Sequence, residues 1–274
     1  MPELPEVETI VRDIRPALVG RQLGRVSLSH DDILSGVSRR TLLRNLSGAT
    51  VQAVFRRAKH AVLDLGARRL VVQPGMTGSL VVHERPLSEA ERRYAVLRAP
   101  LDDGRELVYR DVRRIGRLRL LDAAGWRRYS EAIGPEPLEP EFTPAQLGQT
   151  LGRSRQAVKK VIMDQRHLAG VGNIYANEAL FAAGIDPSKP ACRLMPDDHR
   201  RLHAEIRRIL TAAIASSGTT VRDYRTGTGE PGSFQLELLV YGREGEPCRR
   251  CGTRLTGTHL IDARISVFCH WCQA

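Results

Sequence analysis

Apolar positions near the start of the chain follow the spacing of an amphipathic helix. From Leu4 to Leu18 they recur at intervals of three and four, as Val7, Ile10, Val11, Ile14 and Leu18. Side chains at this spacing lie on one face of a helix. Pro5 falls in the first turn, where its missing N–H costs nothing. We therefore predict a helix over Leu4–Leu18, with Pro2 just before its first turn.

The pattern then changes to short apolar runs between residue 22 and about residue 121. Six runs are separated by Gly, Pro and Asp and cover residues 61–65, 70–72, 79–82, 94–97, 106–109 and 117–121. Short runs bounded by turn residues are typical of strands. Several strands in series predict a β-sandwich or a barrel-like first domain.

A proline-rich stretch and a helical region follow. Residues 134–141 hold three prolines, which favour a linker or hinge, and the later apolar spacing predicts helices from Thr143-Pro144 and over residues 156–164, 174–183 and 197–216. The glycine-rich residues 227–232 predict a flexible loop. The predicted organisation is a β-rich domain at 1–133, a linker at 134–144, a helical domain at 145–240 and a cysteine module at 241–274.

The amino-acid composition indicates what kind of partner the protein binds and in which cellular compartment it works. The net charge is +11 with a pI near 10.0, which suits a polyanionic partner such as nucleic acid. A protein that is simply basic is the alternative. No apolar run reaches the ~20 residues of a membrane span, and the N-terminus does not have the pattern of a secretory signal. We expect a soluble, cytoplasmic protein. Of the 42 basic residues only Lys59, Lys159, Lys160 and Lys189 are lysines. Because the other basic residues are arginines, we consider these four lysines candidates for specific roles.

Four of the five cysteines predict a metal site. Cys248, Cys251, Cys269 and Cys272 form two C-x-x-C pairs separated by 17 residues. This spacing is typical of a zinc ion held by four thiolates. Two disulfides are the alternative, and they suit a secreted protein rather than a cytoplasmic one. We interpret the remaining Cys192 as a reduced, inert thiol.

The first residues offer a nucleophile. Removal of Met1 would leave Pro2 with a secondary amine, and α-amino groups have pKa values of roughly 8. Such an amine attacks carbonyl-like carbons to give a Schiff base, and Glu3 and Glu6 beside it could move protons. Most chains that begin Met-Pro use neither residue for chemistry, so these positions alone leave both interpretations open.

Three further places suit phosphate. The loop Gly170-Val171-Gly172-Asn173 precedes a predicted helix, so its N–H groups could bind an anion. An ordinary tight turn is the alternative. Lys59 lies in a basic cluster before a predicted strand, and Arg264 lies between the two cysteine pairs, where zinc-supported hairpins commonly contact nucleic acid.

Taken together, these motifs resemble the bacterial formamidopyrimidine-DNA glycosylase family, whose members excise oxidised purines. The resemblance rests on residues 2–8, 163–181 and 241–248 and on the remaining cysteines, and it covers almost the whole chain. It implies an α+β multidomain fold: an N-terminal β-sandwich with flanking helices, then a helix-two-turn-helix bundle and a four-cysteine zinc finger β-hairpin.

The resemblance also implies roles for single residues. Pro2 matches the nucleophile, Glu3 the residue that protonates the sugar ring oxygen, and Glu6 a carboxylate that helps to place the N-terminus. Phosphates around the lesion are expected to contact Lys59, Asn173 and Arg264. We add Lys159 to the expected DNA contacts.

Further matching residues would fill the vacancy left by the everted base. Met76 is expected to occupy it, and Arg113 to pair with the orphaned opposite base. Ile115 stands where the family usually has a Phe wedge, which gives up aromatic stacking of roughly 1–3 kcal/mol. A lesion-capping loop is expected over residues 219–233, with Arg222 and Tyr224 as candidate contacts.

The predicted function is that of a bifunctional DNA glycosylase and abasic-site lyase acting as a monomer on duplex DNA that contains an oxidised base, with one structural zinc ion and no membrane association. Two alternatives remain. A sister enzyme specific for oxidised pyrimidines would share the fold and the amine chemistry. A non-catalytic zinc protein that binds DNA would explain the charge and the cysteines but not Pro2, Glu3 and Glu6.

Overall fold

The computed structural model describes residues 1–220, 226–228 and 230–273 and divides into two compact units. The first comprises Met1–Glu131 and Ser216–Gln235, and the second Ala132–Ala215 and Leu236–Ala274. The segment Ser216–Gln235 thus groups with the first unit, whereas the predicted helical domain at 145–240 included it. Arg222 and Tyr224 of the expected lesion loop lie outside the described residues.

Among its described residues, the first unit has four α-helices and eight strands. The helices are α1 (Leu4–Leu18), α2 (Arg39–Leu46), α3 (Glu89–Arg93) and α4 (Ala123–Glu131). The strands are β1 (Ser27–Leu28), β2 (Ala53–Arg57), β3 (His60–Asp64), β4 (Arg68–Gln73), β5 (Gly78–His83), β6 (Ala95–Pro100), β7 (Glu106–Asp111) and β8 (Arg117–Asp122). All six predicted strands are present, and α1 has the predicted bounds.

The strands form two antiparallel sheets around one core. Their orders are β1-β6-β7-β5 and β2-β3-β4-β8. Apolar side chains of both sheets pack in a single cluster with the apolar face of α1, which includes Val7, Ile10 and Ile14. The predicted β-sandwich with a flanking N-terminal helix is therefore confirmed. Burial of one α1 face fixes the direction in which the helix presents its first turn.

The sequence analysis did not predict β1, α2, β2, α3 or α4, and the polar sequences of α2 and β2 show why. Helix α2 reads Arg-Arg-Thr-Leu-Leu-Arg-Asn-Leu and buries only Leu42 and Leu46, while Ser38 caps it by accepting a hydrogen bond from the Thr41 N–H. Strand β2 ends in Arg56 and Arg57, so its sequence lacks the apolar pattern of a strand. Its pairing with β3 identifies it as a strand.

The second unit is helical and ends in a hairpin. Its helices are α5 (Pro144–Gly152), α6 (Val158–Met163), α7 (Asn173–Ala183) and α8 (Pro196–Ala215). The hairpin strands are β9 (Thr256–Thr258) and β10 (Ser266–Phe268). Helix α7 stops at Gly184, whose φ of 69° is left-handed and suits glycine. Thr143 caps α5, so the predicted Thr-Pro start is confirmed.

The predicted linker is an ordered part of the second unit. Residues 134–143 form neither helix nor strand, but their backbone is hydrogen-bonded. The Gly134 N–H donates to the Gln165 carbonyl at 2.8 Å, and the Pro135 carbonyl accepts from the Ala169 N–H at 3.0 Å. Arg207 donates to the Pro137 carbonyl at 2.7 Å. These bonds hold the stretch against the helices.

Across the described residues, no helix combines the length and the apolar character needed to cross a membrane.

Candidate functional site

The N-terminus of α1 lies in a buried, acidic pocket of the first unit. Pro2 is buried, and Glu3 and Glu6 are only 4% and 2% exposed. One carboxylate oxygen of Glu6 accepts from the Glu3 N–H at 2.8 Å, and the other accepts from the Thr219 N–H at 2.8 Å. Glu6 therefore ties the start of the helix to the returning segment Ser216–Gln235, and this restrains Pro2.

Burial of the chain terminus favours a neutral amine. Burial, the largest cause, lowers the pKa of the α-amino group on Met1 below its ordinary value. Glu3 and Glu6 oppose this shift, while Lys59 and Arg113 lower the pKa further. The structure thus brings four of the predicted site residues into the electrostatic field of one amine. This amine is that of Met1, the residue directly before Pro2.

Lys59 is presented by a tight turn. Arg57 of β2 pairs with His60 of β3, so Ala58 and Lys59 alone form the connection. Two-residue hairpin turns require positive φ, and Ala58 has a φ of 52°, uncommon for a residue with a Cβ. The lysine side chain is 6% exposed. Its position is therefore set by the backbone of the turn.

Both sides of this turn are held by helices. Arg56 donates to Glu8 of α1 at 3.0 Å and to the Ala58 carbonyl at 3.0 Å. On the other side, Arg57 donates to the Ser130 hydroxyl of α4 at 3.1 Å. We missed these supporting residues in the sequence, because a basic cluster gives no sign of which carboxylate or hydroxyl it will meet.

His60 completes the support and stays neutral. Its ring lies 3.2 Å from the Tyr129 hydroxyl and 3.1 Å from the Arg57 carbonyl. Burial, the largest cause, lowers the pKa of His60 to about 4. Near neutral pH the residue beside Lys59 therefore carries no charge.

The three residues expected to fill the DNA vacancy meet on two loops of the first unit. We name these the Met76 loop (residues 74–78) and the Arg113 loop (residues 112–116). Met76 and Ile115 are 42% and 44% exposed, unusual for large apolar side chains. The Arg113 guanidinium lies 3.6 Å from the Met76 sulfur. The structure therefore places Met76, Arg113 and Ile115 on one exposed edge.

In the second unit the predicted anion loop is shaped by Gln165, a residue we missed. Its side-chain oxygen accepts from the Gly170 N–H at 2.8 Å, and its amide donates to the Val171 carbonyl at 2.8 Å. Gly170 has a φ of 80°. Asn173 begins α7 and is half-buried, so its amide lies at the positive end of a helix.

The four cysteines of the C-terminal module form one cluster. Their sulfur atoms all lie within 4.8 Å of one another, with Cys248 and Cys272 4.0 Å apart and Cys251 and Cys269 3.5 Å apart. A disulfide would need about 2.0 Å. Thiolates around one tetrahedral zinc ion lie roughly 3.8 Å apart, given Zn–S bonds of about 2.3 Å. The cluster fits a metal ion, and Cys192 stands outside it.

Arg264 and Lys159 have different environments. Arg264 lies between β9 and β10, with its side chain 52% exposed and paired with Asp262 at 3.1 Å. Lys159 is fully buried, and its ammonium donates to the Ile265 carbonyl at 2.9 Å and the Ser266 hydroxyl at 2.7 Å. The prediction that Lys159 contacts DNA does not fit this burial. Lys159 instead supports the hairpin that carries Arg264.

Glu178 is a second buried support that we missed. Its carboxylate accepts from the N–H groups of Leu239, Val240 and Tyr241 at 2.8–2.9 Å. Burial is the largest influence and raises the pKa of Glu178, against the lowering effect of these bonds. The residue fixes the chain where it enters the cysteine module.

These features are those of a DNA-repair glycosylase, and family models agree. Residues 1–118 match the formamidopyrimidine-DNA glycosylase N-terminal domain, and residues 133–225 match the formamidopyrimidine-DNA glycosylase H2TH domain. The chain belongs to the formamidopyrimidine-DNA glycosylase family.

Named relatives match over their full length. The formamidopyrimidine-DNA glycosylase of Chloroflexus aurantiacus is 40% identical, with 100% of this chain and 98% of that protein covered. The Stutzerimonas stutzeri protein of the same name is 43% identical, with both chains fully covered.

Solved structures share the fold. A Lactococcus lactis Fpg mutant, in complex with a Fapy-dG containing DNA, superposes with a TM-score of 0.90 at 31% identity and covers 99% of both chains. The MutM (Fpg) protein of Thermus thermophilus has a TM-score of 0.87 at 36% identity, covering 99% of this chain and 98% of that one.

Proposed function

We propose that the protein is a bifunctional DNA glycosylase and abasic-site lyase that removes oxidised purines from duplex DNA in base excision repair. The observation that carries the proposal is the start of α1, where Pro2, Glu3 and Glu6 are all buried and Glu6 accepts a hydrogen bond from the Glu3 N–H. Family membership and the Fapy-dG complex of the Lactococcus lactis relative support the substrate class. We place the activity in the bacterial cytoplasm, where chromosomal DNA lies.

Binding comes first. Lys59 in one unit, and Asn173 and Arg264 in the other, each contact a backbone phosphate, so affinity falls as salt rises. The damaged nucleotide must leave the stack before its C1′ can be reached. Met76 and Ile115 enter the vacancy, and Arg113 pairs with the base left behind. Apolar side chains inserted between bases offset the cost of unstacking.

Chemistry then uses the chain's own amine. With Met1 removed, the Pro2 nitrogen bonds to C1′ as the bond from C1′ to the oxidised base breaks, and the base leaves with a proton. Glu3 protonates the ring oxygen, so the sugar opens and the nitrogen and C1′ form an iminium ion. Glu6 keeps the first turn in place through its bond to the Glu3 N–H.

Elimination follows from the iminium ion. Its positive charge acidifies the C2′ proton, and the Glu3 carboxylate, deprotonated in the previous step, accepts that proton as the 3′ phosphate leaves. A second elimination expels the 5′ phosphate, leaving a one-nucleotide gap. Water then hydrolyses the imine and returns Pro2 as a free amine.

Borohydride trapping tests the proposal directly. We expect the protein to form a covalent complex with duplex DNA containing 8-oxoguanine, and mass spectrometry of the tryptic peptides to place the adduct on Pro2 with Met1 absent. Pro2→Gly replaces the secondary amine with a primary one and should trap more slowly than the wild-type protein. Pro5→Ala is the matched control, because it alters a proline of the same turn that offers no amine, and it should trap normally. Retention of Met1, or equal trapping by Pro2→Gly, contradicts the mechanism.

A substrate panel separates this function from its alternatives. Duplexes with 8-oxoguanine, a formamidopyrimidine or thymine glycol should be processed in favour of the two purine lesions. Preference for thymine glycol would instead indicate the oxidised-pyrimidine branch, and binding without any excision would indicate a non-catalytic DNA-binding protein.

We further propose that the metal is zinc, held by Cys248, Cys251, Cys269 and Cys272. Four thiolates fill a tetrahedral zinc ion, so it stabilises the hairpin and activates no water. Metal analysis should find one zinc per chain. Cys248→Ser should lose it, whereas Cys192→Ser, which changes a cysteine outside the cluster, should retain it. Equal zinc in both variants would contradict this assignment.

A further inference from the structure

Asp111 is a buried carboxylate at the end of β7 that the mechanism above does not use. It is 1% exposed. One of its oxygens accepts from the Thr77 hydroxyl at 2.6 Å. The other accepts from the Tyr109 hydroxyl at 3.1 Å and from the Gly116 N–H at 2.8 Å. A buried charge is stable only when such donors satisfy it, so the three donors and the carboxylate hold one another in place.

The donors come from both exposed loops. Thr77 belongs to the Met76 loop, and Gly116 ends the Arg113 loop. Thr77 also accepts from the Arg113 N–H at 3.0 Å. A continuous path of hydrogen bonds therefore runs from one loop through Asp111 to the other, and a branch leads straight to the backbone of Arg113.

Close packing makes the connection stiff. A Cβ placed on Gly75 would lie 2.7 Å from the Asp111 carboxylate, from the Gly116 nitrogen and from the Ile115 side chain. One placed on Gly116 would overlap the Tyr109 hydroxyl. Contacts this short are not tolerated, so both glycines allow the loops to touch. Interfaces packed without voids move together rather than independently.

Tyr109 keeps its proton in this setting. Burial, the largest cause, and the nearby negative charge of Asp111 both raise the pKa of the phenol above its ordinary value. The hydroxyl therefore remains a donor to the carboxylate throughout the pH range in which the protein works.

We propose that Asp111 is a positioning residue that couples the Met76 loop to the Arg113 loop, so that Met76, Arg113 and Ile115 enter the DNA vacancy as one unit. The proposal rests on the proposed function. It goes beyond it by assigning the coupling to a residue that touches no DNA. Its consequence is specific: loss of the coupling should impair extrusion of a stacked base more than reaction at a sugar that has no base to extrude.

Thr77→Val is the main test, because it keeps the side-chain shape and removes the hydroxyl that links Asp111 to Arg113. Hydrogen bonds to a charged group contribute enough to predict a fall of about tenfold in single-turnover excision of 8-oxoguanine. Nicking of DNA that already contains an abasic site should fall less than twofold. Ser29→Ala is the matched control, since it removes a hydroxyl bonded to the Ala95 carbonyl in the same sheet, and it should change neither rate.

A double-mutant cycle separates coupling from simple stabilisation. If Thr77 acts through the inserted side chains, Thr77→Val should add little to the defect of Met76→Ala. Asp111→Asn should show the same selectivity, provided that its melting curve remains cooperative. Equal losses on both substrates, or additive effects with Met76→Ala, would overturn the proposal. Failure of the wild-type protein to process either DNA would instead overturn the proposed function.

Discussion

The two units hold their candidate site charges in opposite ways. In the first unit the catalytic candidates Glu3 and Glu6 are each more than nine-tenths buried and are fixed at the start of α1. In the second, the Arg264 side chain is 52% exposed and pairs with Asp262 of its own loop. The two sets of residues have different functions. Residues that take part in bond-making tolerate little displacement, whereas a long, solvated side chain can still bind a phosphate.

The comparison also separates two kinds of energetic cost. Burying a charge is unfavourable unless donors or opposite charges compensate it, and the first unit supplies such partners for Glu6 and Asp111. An exposed ion pair such as Arg264 with Asp262 contributes about 0–1 kcal/mol. We therefore expect changes in the first unit to affect rate, and changes at the hairpin to affect affinity and its dependence on salt.

The largest effect should come from Glu3→Gln. Loss of its proton transfer should lower single-turnover excision of 8-oxoguanine by about 10²–10⁴-fold, with DNA affinity nearly unchanged. Glu106→Gln is the control, because it alters a carboxylate of the same unit that pairs with Arg98, and it should leave the rate within twofold. If Glu3→Gln retained its excision rate but bound DNA weakly, the result would contradict the proposal that first-unit residues determine rate and hairpin residues determine affinity.

A smaller effect should come from Arg264→Ala. Loss of one phosphate contact should reduce the slope of log affinity against log salt by about 0.9, as measured by titration at several salt concentrations. Arg264→Lys should preserve most of the slope. Arg254→Ala is the control in the same module, since this residue already donates to the Gly245 carbonyl. An unchanged slope in Arg264→Ala would remove this residue from the interface.

A further effect concerns the acid stability of the first unit rather than its DNA chemistry. Because burial lowers the pKa of His60 to about 4, the unfolded chain binds more protons than the folded one between the ordinary value of about 6.5 and 4. Stability should therefore be complete above pH 6.5 and fall as the pH drops, by roughly 3 kcal/mol at pH 4. Urea unfolding of wild type and His60→Gln measures this, with exposed His30→Gln as the control. Identical pH slopes in wild type and His60→Gln would show that His60 titrates normally.

Sequence alone predicted the elements whose signals are local. The bounds of α1 follow from its apolar stripe and from a proline in the first turn, both of which act within a few residues. The C-x-x-C spacing similarly predicts the cysteine cluster, because each pair brings two sulfurs close together. The site residues Pro2, Glu3 and Glu6 stood out for the same reason, since they are adjacent in the chain.

Residues that act through distant partners were not predictable. Lys159 was expected at the DNA surface, but its partners are the Ile265 carbonyl and the Ser266 hydroxyl, more than 100 positions away. Glu178 accepts from backbone groups about 60 positions along the chain. The residue type does not show whether a lysine is exposed or buried. Its burial and its hydrogen-bond partners are known only from the folded structure.

The position of Thr219 has a consequence for biosynthesis. Its N–H donates to Glu6 within the first unit, although 213 positions of chain separate the two residues. A ribosome must therefore translate the whole of Ala132–Ala215 before the N-terminal pocket acquires this bond. The growing polypeptide carries its amine from the start, yet the surroundings that hold it are completed late. Nascent or truncated chains would thus expose the terminus without the restraint that directs it toward a sugar.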